Sequence, residues 1–389
     1  MKECINLGIV GVGNIGTKHL TDIINGECPN IRVGAVADIN SDRLSWVKEN
    51  ISEDIKLFSN AEEMFDSGLI DSVLVATPHY EHPQYAIEAF KRKLNVLIEK
   101  PAGVYTKQVI EMNEMADKTD VVFGIMFNQR TDHNYRKMKE IVDSGRLGEI
   151  RRTNWIITDW YRTEAYFNSG GWRATWAGEG GGVLLNQCPH NLDLWQWICG
   201  MPSKVSTHMK FGKWHNIEVE DDVTTYVEYP NGATGVFITS TGDVPGTNRF
   251  EILFDKGKLI QENGKLHLWE LEVSEPEWRI TCQKPFAVPE MTEIEVETDG
   301  QSTQHIGVLN SFADAILFNK PLIADGREGI NGLAISNAMH LSAFLNKEIE
   351  LPSDNDLFYN ELMKKVNNSK IKENVVQVVS DTEGTYGKQ

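Results

Sequence analysis

Ile5-Asn6-Leu7-Gly8-Ile9-Val10-Gly11-Val12-Gly13-Asn14-Ile15-Gly16 decides how this chain folds. The first half is an apolar run of the length of a buried strand. The second half is a G-x-G-x-x-G turn that opens a segment of helical period. Spaced glycines alone say little, but a strand before them and a helix after them are the context a dinucleotide-binding turn needs. Gly11 permits the tight turn, Gly13 lets the backbone approach a pyrophosphate, and Gly16 allows close helix–strand packing. Asn14 and Ile15 start the helix whose amides and partial positive charge face the phosphates. Asp38 ends a second apolar run, Ile31–Ala37, about 20 residues further on, where a carboxylate accepts ribose hydroxyls and repels a 2′-phosphate. NAD is the expected cofactor, with NADP kept open by the neighbouring Arg43.

Working outward, apolar runs at residues 70–76, 94–99 and 121–127 continue the strand series. Between two of them, residues 82–93 place Tyr85, Ala86, Ala89 and Phe90 on one helical face. Thr106 is read as the N-cap of the next helix, which carries Val109, Ile110 and Met112. Alternation of strand and helix predicts a parallel sheet covered on both faces. After residue 126 the period changes. A helix over residues 131–144 precedes strands of period two, and Asn231-Gly232 between residues 224–229 and 234–239 is a strong hairpin signal. Further strands are expected at 249–254, 258–262 and 265–269, and late helices at 307–318 and 327–345. The expected fold is α/β: a Rossmann domain at residues 1–126, then an α+β domain with a mostly antiparallel sheet at 127–351. Residues 352–389 are a polar tail without a legible period.

Composition narrows the function. At 389 residues, 41% hydrophobic and 24% charged, the chain is ordinary for a multidomain globular protein. A net charge of −18 opposes nucleic-acid binding but not a phosphate held by helix amides. No run of about 18 apolar residues reads as a membrane span, and the first residues lack the pattern of a secretory leader, so the cytoplasm is the expected compartment. Five cysteines without a CxxC imply neither a disulfide framework nor a zinc site. His79 and His82 lack the further ligands a metal needs, and no metal is expected.

Ala76-Thr77-Pro78 at the end of one strand, Glu99-Lys100-Pro101 at the end of the next, Gly180-Gly181-Gly182 with His190 downstream, and Asp325-Gly326-Arg327-Glu328-Gly329 follow the dinucleotide turn in order. Together they resemble the Gfo/Idh/MocA oxidoreductases over roughly residues 5 to 351. The resemblance implies an open antiparallel sheet in the second domain, often buried in a homodimer or homotetramer. It also implies sugar, inositol or polyol substrates changed at a secondary alcohol, and cofactor contacts from Thr77, Pro78, His82, Glu99 and Lys100.

A lysine at the carboxyl end of a sheet strand points into the crevice where α/β proteins bind ligands. Burial lowers its pKa and suits it to proton transfer, with Glu99 beside it as a candidate partner. The resemblance implies that the Lys100–Pro101 bond can be cis. Asn186 and His190, four apart, share a face if helical. Where the family pattern usually has an acid, this chain has Asn186, which orients a group but cannot act as a base. His190 is then the candidate proton acceptor. Cys188 carries no acyl-transfer constellation.

Six of the ten tryptophans fall between residues 155 and 197. Trp160, Arg162, Trp172, Arg173 and Trp176 are read as a substrate wall, since aromatic faces stack on sugar C–H surfaces while arginines bond hydroxyls. Trp195 and Trp197 read as core. Asn128 and Arg130, just past the last Rossmann strand, are placed near the crevice. The expected activity is NAD-dependent dehydrogenation of a sugar, glycoside or inositol. Glycoside cleavage through transient oxidation by retained NAD and a non-catalytic NAD-responsive binding protein are the alternatives.

Overall fold

The computed structural model describes residues 3–370 and Lys372. Strands β1 (Ile5–Val10), β2 (Ile31–Ala37), β3 (Lys56–Phe58), β4 (Ser72–Val75), β5 (Asn95–Ile98) and β6 (Phe123–Ile125) form a parallel sheet in the order β3-β2-β1-β4-β5-β6. β1, β4 and β6 are almost wholly buried, which accounts for their continuous apolar runs. β3 left no signal in the sequence because it is a three-residue edge strand, none of it fully buried. The strand order reverses between β1 and β4, and that switch point opens a crevice outside the strand ends.

The second sheet has nine strands: β7 (Ile150–Ile157), β8 (Lys204–Phe211), β9 (Glu220–Glu228), β10 (Thr234–Ser240), β11 (Asn248–Phe254), β12 (Gly257–Glu262), β13 (Lys265–Leu271), β14 (Met291–Glu295) and β15 (Ile349–Glu350). Their order is β14-β13-β12-β11-β7-β10-β9-β8-β15, antiparallel except for the β7–β10 pair. The β9–β10 hairpin forms where Asn231-Gly232 predicts it, with Thr234 opposite Glu228 and Gly232 at φ +83°. Along β7 the side chains of Thr153, Trp155 and Ile157 point inward in strict alternation. Trp155 stacks on Phe250 with centroids 4.2 Å apart, and Trp195 stacks on Phe237 at 5.3 Å. Trp195 sits on the helix Pro189–Cys199, which packs on this sheet's inner side with the helix Gly329–Leu345. No helix of the described residues is long and apolar enough to cross a membrane.

The helix Gln304–Phe318 returns to the first sheet. Its Val308, Leu309 and Phe312 share a core with Ile5, Leu7, Leu20 and Leu97. Burying Phe312 completely contributes about 1.5–3 kcal/mol. The helix Asn355–Val366 lies in the polar tail, capped by Asp354 and anchored by buried Phe358 and Leu362; residues 371 and 373–389 of that tail lie outside the described residues. Thr106 is not an N-cap. It is the first residue of its helix; its N–H donates to Asn337 Oδ1 (3.0 Å) and its hydroxyl to Asn355 Oδ1 (2.7 Å), so partners from distant helices hold it.

The turn Asn128–Thr131 joins the two sheets, and it corrects two assignments made from the sequence. Arg130 does not reach the crevice. It is 3% exposed and grips Asp193 bidentately (2.8 and 2.6 Å), with Glu328 at 2.6 Å and the Trp197 ring 5.2 Å from its guanidinium. Asn128 is fully buried and donates to Gln304 Oε1 (2.6 Å). Both residues serve the joint. Removing one member of a buried ion pair leaves the other charge uncompensated, so Asp193→Ala is expected to cost about 3–5 kcal/mol, read as a lower urea midpoint.

Candidate active site

The crevice at the switch point has a volume of about 1070 Å³. Ligand pockets run roughly 300–1,000 Å³, so a dinucleotide and a small second ligand fit together. Gly11, Gly13, Asn14, Ile15 and Asp38 line one end, as the fingerprint predicts. Gly11 sits at φ +87°, and a Cβ on it would lie 2.8 Å from Ala76 O. Nothing stands within 4 Å of where a Gly13 Cβ would be, which leaves open space above the turn for a phosphate. Gly16 lies beneath this surface, where a Cβ would meet Gly11 O at 2.0 Å. It is the packing glycine.

Asp38 holds the turn as well as facing the crevice. Its Oδ2 accepts from Val12 N–H and its Oδ1 from Asn40 N–H, each at 2.8 Å. A carboxylate has about four lone-pair sites, so capacity for ribose hydroxyls remains. Arg43 is drawn inward: its Nε donates to Val12 O (2.7 Å), its Nη2 to Thr17 Oγ1 (2.6 Å), and its guanidinium rests 5.1 Å from the Trp46 ring. Its donors thus serve the turn.

Thr77, Pro78, His82, Glu99 and Lys100 line the middle of the crevice. The two ring nitrogens of His82 lie 2.8 Å from Pro101 O and 2.7 Å from Thr77 O, tying two strand ends together. The Lys100–Pro101 bond is cis. Glu99 does not pair with the Lys100 ammonium. Its carboxylate meets His19 Nε2 at 2.7 Å and accepts the Lys100 N–H at 3.1 Å. Burial would raise the Glu99 pKa, but the His19 bond and the nearby charges of His19, His305 and Lys100 outweigh it and hold the pKa at about 2. Lys100 is thereby free to reach across the crevice, where its Nζ donates to the backbone carbonyl of Asn186 (3.0 Å). Burial lowers its pKa below that of an ordinary lysine, against the opposing pull of Glu99.

Asn186 comes from the second sheet's side. It ends the short helix Val183–Asn186, whose amides at Gly182 and Leu184 are capped by the buried Glu220 carboxylate of β9. A Cβ on Gly182 would collide with Glu220 O at 2.0 Å, so this backbone approach requires glycine. The Asn186 amide group donates to Glu179 and accepts from the Tyr166 hydroxyl (3.2 Å). His190 is the second residue of the next helix, behind the crevice wall, 2% exposed and edge-on to Phe127. Burial, then the Lys100 charge, keeps its pKa well below the ordinary imidazole value, so it is neutral. Cys188 is buried against Thr239, and burial pushes its thiol pKa up. It is not a poised nucleophile.

The aromatic wall divides. Arg162, Trp172 and Arg173 line the crevice; Trp160 and Trp176 do not. Trp160 is buried with its Nε1–H on Asn191 Oδ1 (3.1 Å), and Trp176 packs among Phe211, His340 and Phe344. Both became core because their neighbours offered enclosed partners. Two residues not singled out from the sequence join the site. Tyr166 lines the crevice, on a four-residue helix too short to give a period. Glu179 is 3% exposed, and burial raises its pKa. A charged residue inside a glycine run was its one signal. Its carboxylate also accepts the N–H of Ala174 (2.6 Å), a residue held at φ +54°.

A six-stranded dinucleotide sheet, a glycine turn over open space, and a lysine facing it define an NAD-binding oxidoreductase. Residues 5–127 match the model of an oxidoreductase family with an NAD-binding Rossmann fold, and residues 135–260 match a GFO/IDH/MocA C-terminal domain. The chain belongs to the Gfo/Idh/MocA family. It is 27% identical to a myo-inositol 2-dehydrogenase of Thermotoga maritima, over 67% of this chain and 75% of that protein. It is 25% identical to the uncharacterized oxidoreductase YrbE of Bacillus subtilis, over 88% and 95%. The WlbA dehydrogenase of Bordetella pertussis, solved with NADH and UDP-GlcNAcA, shares the fold at a TM-score of 0.74 and 23% identity, over 90% of this chain and all of that one.

Because Asp38 fastens the turn through two amides, Asp38→Ala is expected to weaken NADH binding about tenfold or more, measured by nicotinamide fluorescence.

Proposed function

We propose that this protein is a dehydrogenase that oxidises a secondary hydroxyl of a sugar, glycoside or inositol with NAD. The observation that carries this reading is the Lys100 ammonium, facing the substrate end of the crevice from the end of β5. Similarity to an inositol dehydrogenase supports the polyol class. Bound nicotinamide supplies hydride acceptance. The chain's own residues do the rest: Lys100 orients the reacting oxygen and passes on its proton, and neutral His190 behind it is the acceptor. Asn186 holds Lys100 through its carbonyl rather than touching the substrate as a base. The open face of the second sheet, with Tyr226 and Leu253 exposed, supports a homodimer or homotetramer. A cytoplasmic location suits free NAD as co-substrate.

NADH formation across a panel of sugars, inositols and glycosides, with NAD and NADP compared, tests the reading. NADH accumulating with one class supports it; a cleaved glycoside without net NADH replaces it by transient oxidation, and cofactor binding without turnover leaves a sensor. Lys100→Ala is expected to lower kcat about 10²–10⁴-fold. The pH profile gives a second check. A group whose pKa is displaced downward stays deprotonated further into acid, so the acid side of kcat/KM should hold down to about 6.5, the free imidazole value, while the lowered pKa of Lys100 sets a limb on the alkaline side. An acid limb at or above that value rules out His190 as the acceptor.

A further inference from the structure

The substrate end of the crevice has an unusual polar make-up. Arg173 lies over two aromatic rings, its guanidinium carbon 4.7 Å from the Trp172 centroid and 4.6 Å from that of Tyr166. One of its nitrogens donates to the Tyr166 hydroxyl (2.9 Å). These contacts and that bond restrain the guanidinium, and its other N–H groups remain to meet a ligand. Arg162 also lies over Tyr166, 5.2 Å from the same ring. Lys100 stands beneath. Neutral sugars are usually met by carboxylate acceptors as well as donors, since each hydroxyl both gives and takes a hydrogen bond.

Among the described residues, no carboxylate of that kind lines this end, and Asp159, which attracts Arg162, stands off the lining. The acidic residues that line the crevice are Asp38, Asp42, Glu81 and Glu99, all on the cofactor domain, and Glu99 is committed to His19. Glu179 attracts Arg173 from behind the wall, but its oxygens take the Ala174 amide and the Asn186 side chain. Glu164, on the same segment, turns away to accept the Asn216 N–H (2.9 Å). Among the described residues, three lining cations, one of them a guanidinium held against two rings, with no lining acid from their own domain, suit a ligand that brings its own negative charge.

Resting on the dehydrogenase reading above, we propose that the substrate is a sugar acid, whose carboxylate is bound edge-on by Arg173 with Arg162 beside it while Lys100 meets the alcohol to be oxidised. A planar carboxylate matches the guanidinium fork, and this sets a sugar acid apart from a sugar phosphate.

The test uses the full chain loaded with NADH and the matched pairs D-glucuronate with D-glucose and D-galacturonate with D-galactose, with glucose 6-phosphate as a third arm. Binding is followed by protein fluorescence and by calorimetry. In at least one pair the acid is expected to bind about tenfold or more tighter than its neutral twin, as a charge-assisted bidentate contact implies. That advantage shrinks as salt rises. Arg173→Gln abolishes the preference, and Arg173→Lys, which keeps the charge but loses the fork, restores part of it. Equal binding of acid and neutral twin in both pairs overturns the proposal, as does tighter binding of the phosphate than of either acid. The wild-type comparison decides even if a variant fails to fold. Oxidation of neutral sugars without preference for acids removes the clamp and keeps the dehydrogenase; acid binding without NADH formation keeps the clamp and removes the dehydrogenase.

Discussion

A guanidinium taken wholly out of water has to be met by carboxylates, or the fold around it does not hold. Arg130 meets that condition through Asp193 and Glu328, which join its turn after the first sheet to two other segments: the helix Pro189–Cys199 and the turn before Gly329–Leu345. The same helix carries His190 on its first turn and Asp193 on its next. The pair therefore fixes where that helix stands relative to the strand ends of the first sheet. Such a pair adds little net stability compared with apolar packing, but it admits one geometry.

Within the crevice, carboxylates act mainly by releasing or placing other groups. Glu99, engaged with His19, leaves the Lys100 ammonium to cross between domains. Glu220 caps the helix that presents the Asn186 carbonyl. Glu179 turns the Asn186 amide so that its oxygen faces Tyr166. A buried acid held in place by amides and a neutral side chain can give direction to a site without contributing charge to its surface. The resulting wall is rich in donors.

The fold was legible in the sequence wherever one rule acted alone. The strand–turn–helix at Gly11–Gly16, the buried strands β1 and β4, and the Asn231-Gly232 hairpin each follow from a short-range constraint. The end of the site built on that turn was legible for the same reason. What the sequence hid depended on distant partners. Trp160 and Trp172 look alike in sequence, and only the presence of Asn191 beside one of them separates core from wall. Arg130 looked like a ligand because its counter-ions lie 63 residues away and further along the chain. Thr106 looked like a cap because Asn337 and Asn355 were out of view. Tyr166 sits on too short a helix to announce a face.

The helix Gln304–Phe318 closes the core of a sheet whose first strand begins at Ile5. During synthesis the dinucleotide domain emerges first, yet Leu309 and Phe312 remain unmade until most of the chain has left the ribosome. Until then the apolar surface around Ile5, Leu7 and Leu97 stays in water, and its contacts are among the least local in the molecule. The N-terminal portion thus lacks part of its packing until that helix is made. Completion of the nicotinamide-binding half waits on the later half, so a nascent chain cut short before residue 304 presents an open hydrophobic face rather than a small stable cofactor-binding protein.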